Sequence, residues 1–226
     1  MKSFVRRMLL LSAVGATAAA VGIAPAPLAR ARTGLFTPPQ LGIRFNADGD
    51  PGQCGGRTGD QWKNDFDATE PIRFDTDSRP GGCQLAFGIY DPDGLLRDPS
   101  VTYTFQATPG GDPAQCGNPG THRMPVGRTS RTFGPTIRID TDNRPGGCDL
   151  TFALSSSIGM SIGVNYSSDG DRAQCGNAGP DLGLFSPVDN DRPFAVRIDT
   201  DDRPGGCRLQ LRLASFSSER GSHANG

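Results

Sequence analysis

Ile72-Arg73-Phe74-Asp75-Thr76-Asp77-Ser78-Arg79-Pro80-Gly81-Gly82-Cys83 returns as Ile137-Arg138-Ile139-Asp140-Thr141-Asp142-Asn143-Arg144-Pro145-Gly146-Gly147-Cys148. It returns again as Val196-Arg197-Ile198-Asp199-Thr200-Asp201-Asp202-Arg203-Pro204-Gly205-Gly206-Cys207. Upstream of each stands a second block: Asp50-Pro51-Gly52-Gln53-Cys54-Gly55, Asp112-Pro113-Ala114-Gln115-Cys116-Gly117 and Asp171-Arg172-Ala173-Gln174-Cys175-Gly176. Matches this long, at a constant relative position, mark a roughly 60-residue unit repeated in tandem. The copies are read as residues 36–96, 97–156 and 157–216.

Each copy reads in the same order. An alternating segment opens it: Leu41, Ile43, Phe45, then Val101, Tyr103, Phe105, then Ile162, Val164, Tyr166. Period two predicts a half-buried strand. After the Gln-Cys-Gly block comes a stretch that differs between copies (56–71, 117–136 and 176–195), with room for one weak strand. The Ile-Arg-Phe-Asp strand follows. In Arg-Pro-Gly-Gly, proline presets φ at the second turn position and glycine accepts positive φ at the third, as a type II turn requires. The chain then returns from Cys83, Cys148 or Cys207 along another alternating strand, which predicts a hairpin. The fold class is therefore all-β, with three or four antiparallel strands per copy. Three strands with one apolar face cannot bury that face alone. One shared core is expected, closed into a pseudo-threefold domain resembling a trefoil or a prism of sheets. Three small modules in a row is the alternative.

The six cysteines should pair alike in every copy. Pairing within copies joins Cys54 to Cys83, Cys116 to Cys148 and Cys175 to Cys207. Pairing between copies would need Cys83 with Cys116, Cys148 with Cys175 and Cys54 with Cys207. The first is preferred, because a unit that duplicated carries its own staple. Zinc is a poor reading, with no C-x₂-C pair and only His122 and His223 to help.

The ends and the composition set the context. Lys2, Arg6 and Arg7, then the apolar run from Met8 to Ile23 and the Ala29-Arg30-Ala31 cleavage site, read as a signal peptide over residues 1–31. The Arg6-Arg7 pair resembles a twin-arginine signal. A secreted, disulfide-bonded protein is expected, with no membrane span and a disordered tail over residues 217–226. A net charge of −1 argues against nucleic acid as a partner. Lys2 and Lys63 are the only lysines among 23 basic residues, and Glu70 and Glu219 the only glutamates among 24 acidic ones. That bias, with 31 Gly and 19 Pro, favours turns over helices and fits a GC-rich bacterial genome.

Two candidate chemistries arise from the repeat. Alternating carboxylates suggest a calcium site in each copy, from Asp75 and Asp77 with Asp50, Asp140 and Asp142 with Asp112, and Asp199 and Asp201 with Asp171. No other cofactor is implied. Alternatively the turns bind sugar hydroxyls through Asp75, Asp77 and Arg79, Asp140, Asp142 and Arg144, and Asp199, Asp201 and Arg203, with Trp62 as an aromatic platform. The bland reading is that Asp and Arg neutralise one another, the motif makes the hairpin and positions the cysteine, and Trp62 is core. No G-x-S-x-G, H-E-x-x-H or phosphate loop appears, so an enzyme is not expected. The function read from this is a secreted, non-catalytic, lectin-like protein that engages extracellular polysaccharide or cell-envelope glycan through repeated loops. The alternatives are an inhibitor of secreted proteases or glycosidases, whose partner is a protein, or a structural extracellular protein.

Overall fold

The computed structural model describes residues 36–56, 58–75, 81–140, 146–158, 160–176, 178, 185–188, 192–199 and 205–215. The signal segment, the tail and the turns over 76–80, 141–145 and 200–204 lie outside them. With the turns go the expected roles of Asp77, Arg79, Asp142, Arg144, Asp201 and Arg203.

Copy one contributes β1 (Gln40–Ala47), β2 (Gly59–Asn64), β3 (Ile72–Asp75) and β4 (Gly82–Tyr90). Copy two contributes β5 (Arg97–Ala107), β6 (Cys116–Gly117), β7 (Gly120–Arg123), β8 (Val126–Gly127), β9 (Ile137–Asp140) and β10 (Gly147–Ile158). Copy three contributes β11 (Met160–Ser168), β12 (Cys175–Gly176), β13 (Ser186–Val188), β14 (Phe194–Asp199) and β15 (Gly206–Ser215). These strands form three sheets, ordered β2-β1-β4-β9-β6 with β8 beside β4, β12-β14-β10-β5-β7, and β13-β11-β15-β3. Pairing is antiparallel except where Ile89 and Tyr90 meet Val126 and Gly127.

The opening and closing strands of a copy pair with each other: β1 with β4, β5 with β10, β11 with β15. The Ile-Arg-Phe-Asp strand does not stay with them. β3 joins β15 of copy three, β9 joins β4 of copy one, and β14 joins β10 of copy two. The register is the same each time, with Gly206 opposite Asp75, Gly82 opposite Asp140 and Gly147 opposite Asp199. The expected hairpin is therefore not formed: β3 and β4, on either side of the Arg-Pro-Gly-Gly turn, lie in different sheets. Alternation dictates which face of a strand is buried, but it leaves the hydrogen-bonding neighbour open.

Both glycines of the turn have a physical reason. Gly81, Gly146 and Gly205 take φ of 112°, 93° and 111°, as the sequence predicts. The second glycine serves the neighbouring copy. A Cβ on Gly82 would lie 2.5 Å from the Ile139 carbonyl, and one on Gly147 would lie 2.6 Å from Asp199 Cα. Gly206 meets the Phe74 carbonyl equally closely. The incoming strand is admitted because these positions have no side chain.

The three disulfides are Cys54–Cys83, Cys116–Cys148 and Cys175–Cys207. Pairing is thus within copies, yet two of the staples run between sheets, while Cys54 reaches Cys83 from a 3₁₀ turn. Cys116 pairs across to Ile139 in the first sheet while its sulfur partner Cys148 belongs to β10 in the second. Cys175 likewise lies beside Ile198, and Cys207 belongs to β15 in the third sheet.

The inner faces supply one buried cluster. It holds the alternating residues Leu41, Ile43, Phe45, Val101, Tyr103, Phe105, Ile162, Val164 and Tyr166, with Ile72, Phe74, Ile137, Ile139, Val196 and Ile198 from the exchanged strands. Phe45 packs edge-on to Phe74 at 5.6 Å, and Phe87 on Tyr103 and Phe152 at 5.0 and 5.3 Å, so rings from different sheets interlock.

Candidate functional site

The repeated charges hold the joints between copies. On β3, Arg73 donates to Asp75 at 2.5 Å and to Asp169 of copy three at 2.7 Å. On β9, Arg138 donates to Asp140 at 2.7 Å and to Asp48 of copy one. Asp75 and Asp140 are buried, and Asp199 stands 3.9 Å from Arg197. Asp50, Asp112 and Asp171 each cap a single 3₁₀ turn, accepting from the N–H of Gly52, Ala114 and Ala173. All six carboxylates offered as calcium ligands and present among the described residues thus have identified protein partners. Among those residues no group of three or more His, Cys, Asp or Glu could hold a metal.

The joint between copies two and three is built differently. Thr108 stands where Asp48 and Asp169 stand elsewhere, and its N–H reaches the Gly147 carbonyl as theirs reach Gly82 and Gly206. The acid has moved onto β10, where Asp149 lies opposite Arg197 in register. Burial pushes Asp149 up, and the Arg197 charge opposes it only in part. At Asp48 burial also pushes upward, but the hydrogen bond and charge of Arg138, helped by Gln84 and Gly82, hold the carboxyl below its ordinary value. Asp169 is held down likewise, against its burial, by Arg73 and Arg208.

A pH prediction follows. A carboxyl depressed in the folded state stabilises above its unfolded pKa, and that stabilisation is lost as pH falls through the folded value, here below about pH 4. Asp48→Asn should therefore cost about 1 kcal/mol at pH 7 and flatten the decline of stability below about pH 4. Urea midpoints from pH 7 to pH 3 measure this. Parallel curves for variant and parent would refute it.

The variable stretches build a separate surface outside the core. On the outer face of the first sheet, β2 sets Asn64 opposite Gln40, Trp62 opposite Gly42 and Asp60 opposite Arg44. Trp62 lies over Gly42, where a Cβ would be 2.6 Å from its ring. A strap from copy two crosses the same face. It is tied down by Ile89 N–H to Pro125 O, Asp91 N–H to Gly127 O and Gly134 N–H to Phe87 O, each at 2.9 Å. Gly88 makes room for its Thr132 carbonyl. Arg128 of the strap donates to the fully buried Asp91 at 2.6 Å.

The strap completes an aromatic and cationic patch. Phe133 lies 4.9 Å from Trp62, and Tyr90 stands edge-on to Trp62 at 6.5 Å. Arg44 covers Phe133 at 4.4 Å, and Arg131 stands 5.7 Å from the rings of both Trp62 and Tyr90. Trp62, Tyr90 and Phe133 are half-buried, while Arg44 and Arg131 are exposed. Beyond Asp60, held by Arg44 at 2.8 Å, opens a cleft of 410 Å³ lined by Phe45, Thr58, Asp60, Gln61 and Glu70. Asp60 borders both, but Phe45 and Gln61 alternate with Arg44 and Trp62 along β1 and β2, so the cleft opens on the other side of β2 from the rings. Flat apolar rings beside convergent polar groups can stack on a ring-shaped ligand and hydrogen-bond its edge.

Of the expected site residues among those described, only Trp62 is here, and it lies outside the core. Asp75, Asp140 and Asp199 are at the joints, and Asp50, Asp112 and Asp171 cap turns. Sequence reasoning missed Arg44, Tyr90, Arg131 and Phe133, which share no motif. Their one signal is Gly42, a glycine at an outward strand position, and it becomes readable only once the β1–β2 register is known. His122 belongs to a different sheet, 5.2 Å from the Tyr103 ring and 2.9 Å from the Asn118 carbonyl. Among known proteins, no family model, no curated sequence and no solved structure matches this chain.

Proposed function

We propose that this chain is an exported, non-catalytic glycan-binding protein whose copies close into one pseudo-threefold, prism-like domain. The cyclic hand-over of β3, β9 and β14 supports the closed form, because each copy completes its neighbour's sheet and the last returns to the first. Three disulfides fit an oxidising compartment outside the cytoplasm. No helix among the described residues is long and apolar enough to cross a membrane.

The observation that carries the glycan reading is the Trp62 patch with the polar groups on its own face, Arg44, Asp60 and Arg131. A pyranose has apolar C–H faces and a hydroxyl rim. Trp62, Tyr90 and Phe133 suit the faces, and Asp60 with the guanidiniums of Arg44 and Arg131 suits the rim. Trp62 is the chain's one tryptophan, so tryptophan emission, excited selectively over the three tyrosines, reports from this place alone.

Titration of the oxidised protein against a panel of cell-wall and envelope polysaccharides should find at least one that shifts this emission. Trp62→Ala should weaken the same interaction about 10-fold in a pull-down, the scale of one lost aromatic stack. A folded, fully oxidised protein that retains none of the panel would sink the reading.

A further inference from the structure

We infer that the sugar taken at this patch is acidic, its carboxylate received by Arg131 while its ring lies against Trp62 and Tyr90. The inference rests on the glycan reading above and adds the substrate class. Other described guanidiniums near the patch and joints have carboxylate partners: Arg44 with Asp60, Arg128 with Asp91, Arg138 with Asp48 and Asp140, and Arg208 with Asp169. Arg131 has none among the described residues. Its Nε donates at 3.0 Å to a neutral acceptor, Gln40 Oε1. Gln40 is itself buried, and its Nε2 donates to Asn64 Oδ1 at 2.8 Å, which fixes the amide with its oxygen toward Arg131.

The guanidinium is thus positioned without being neutralised. One edge is held by Gln40, its flank lies near two aromatic rings, and its terminal nitrogens carry N–H donors that no protein acceptor takes among the described residues. A carboxylate fits such an end bidentately, and the interaction strengthens beside apolar rings that exclude water. A uronic acid carries a carboxylate on the same ring whose C–H face would stack, and Arg131 stands 5.7 Å from the Trp62 ring centre. The acid nearest the patch, Asp60, is matched by Arg44, so its charge does not repel the ligand.

The test uses the oxidised full chain, Trp62 emission and matched polymers: alginate, polygalacturonate and hyaluronan, each beside its carboxyl-reduced neutral form, with dextran sulfate beside dextran. At least one uronate should bind about 10-fold tighter than its reduced form, and added salt should erode the difference. Arg131→Gln should abolish that preference while leaving the melting temperature of the free protein near the parent's. Trp62→Ala, followed by pull-down, should weaken acidic and reduced forms alike. Equal affinity for a uronate and its reduced form overturns the acidic class and leaves the glycan reading standing. Preference for dextran sulfate over every uronate overturns the carboxylate. No binding by any polymer here, with a neutral glycan bound elsewhere in the wider panel, overturns this inference alone.

Discussion

Gly147→Ala should lower the free energy of unfolding by about 3 kcal/mol, a large effect for one added methyl group. The new Cβ would lie 2.6 Å from Asp199 Cα and closer still to the Ile198 carbonyl. Both are backbone atoms of β14, which no rotamer change can move aside. Either β14 retreats and stretches its ladder to β10, or β10 bends and disturbs Leu150 and Phe152 in the core. Urea unfolding measures the cost, with the exposed Thr129→Ala as a neutral control. A midpoint within error of the parent's would show that β14 is not packed on β10 as described. Unlike the first glycine of the turn, Gly147 has no positive φ to excuse it, so a cost here isolates the close approach of two strands.

Reduction of the three disulfides should have a still larger effect. In the chain-entropy model a loop of 29 to 32 residues contributes roughly 3.5 kcal/mol. Together the three approach the whole stability of an ordinary domain, about 5–15 kcal/mol. The reduced, alkylated chain is therefore expected to lose its cooperative transition at 25 °C. Cys116→Ala with Cys148→Ala should lose about 3.5 kcal/mol and keep the fold. Circular dichroism against urea distinguishes the cases. A reduced protein that still unfolds cooperatively near the parent's midpoint would show that the sheets hold without their staples.

Much of this architecture is legible in the chain. Alternation at Leu41, Ile43 and Phe45 and its two counterparts predicts inward faces, and all of these residues are buried. Repetition narrows the cysteine pairings to two sets, and the preferred one, within copies, is the set observed. Positive φ at Gly81, Gly146 and Gly205 follows from turn chemistry. The destination of β3 was not legible, because its pairing with β15 spans most of the chain and leaves no local trace. Consequently Gly82, Gly147 and Gly206 read as parts of a turn when they also serve a joint. The pairing of Arg73 with Asp169 was hidden for the same reason, since Asp75 two residues away is a sufficient partner on paper. The patch was hardest to foresee. The strap over 124–134 has no periodicity, and a lone tryptophan packed on the outside of a sheet reads like one packed within.

The exchange of β3, β9 and β14 bears on how such a chain could arise and what shortening it would do. A single copy has a strand with no sheet to enter and a sheet that lacks a strand. Both needs are met only in company, and three identical copies on separate chains could meet them as well as three in tandem. Joined in one chain, the copies are free to differ from one another. One joint could trade Asp48 or Asp169 for Thr108 and Asp149, and one outer face could acquire a strap and a tryptophan, without forcing the same change on the other two.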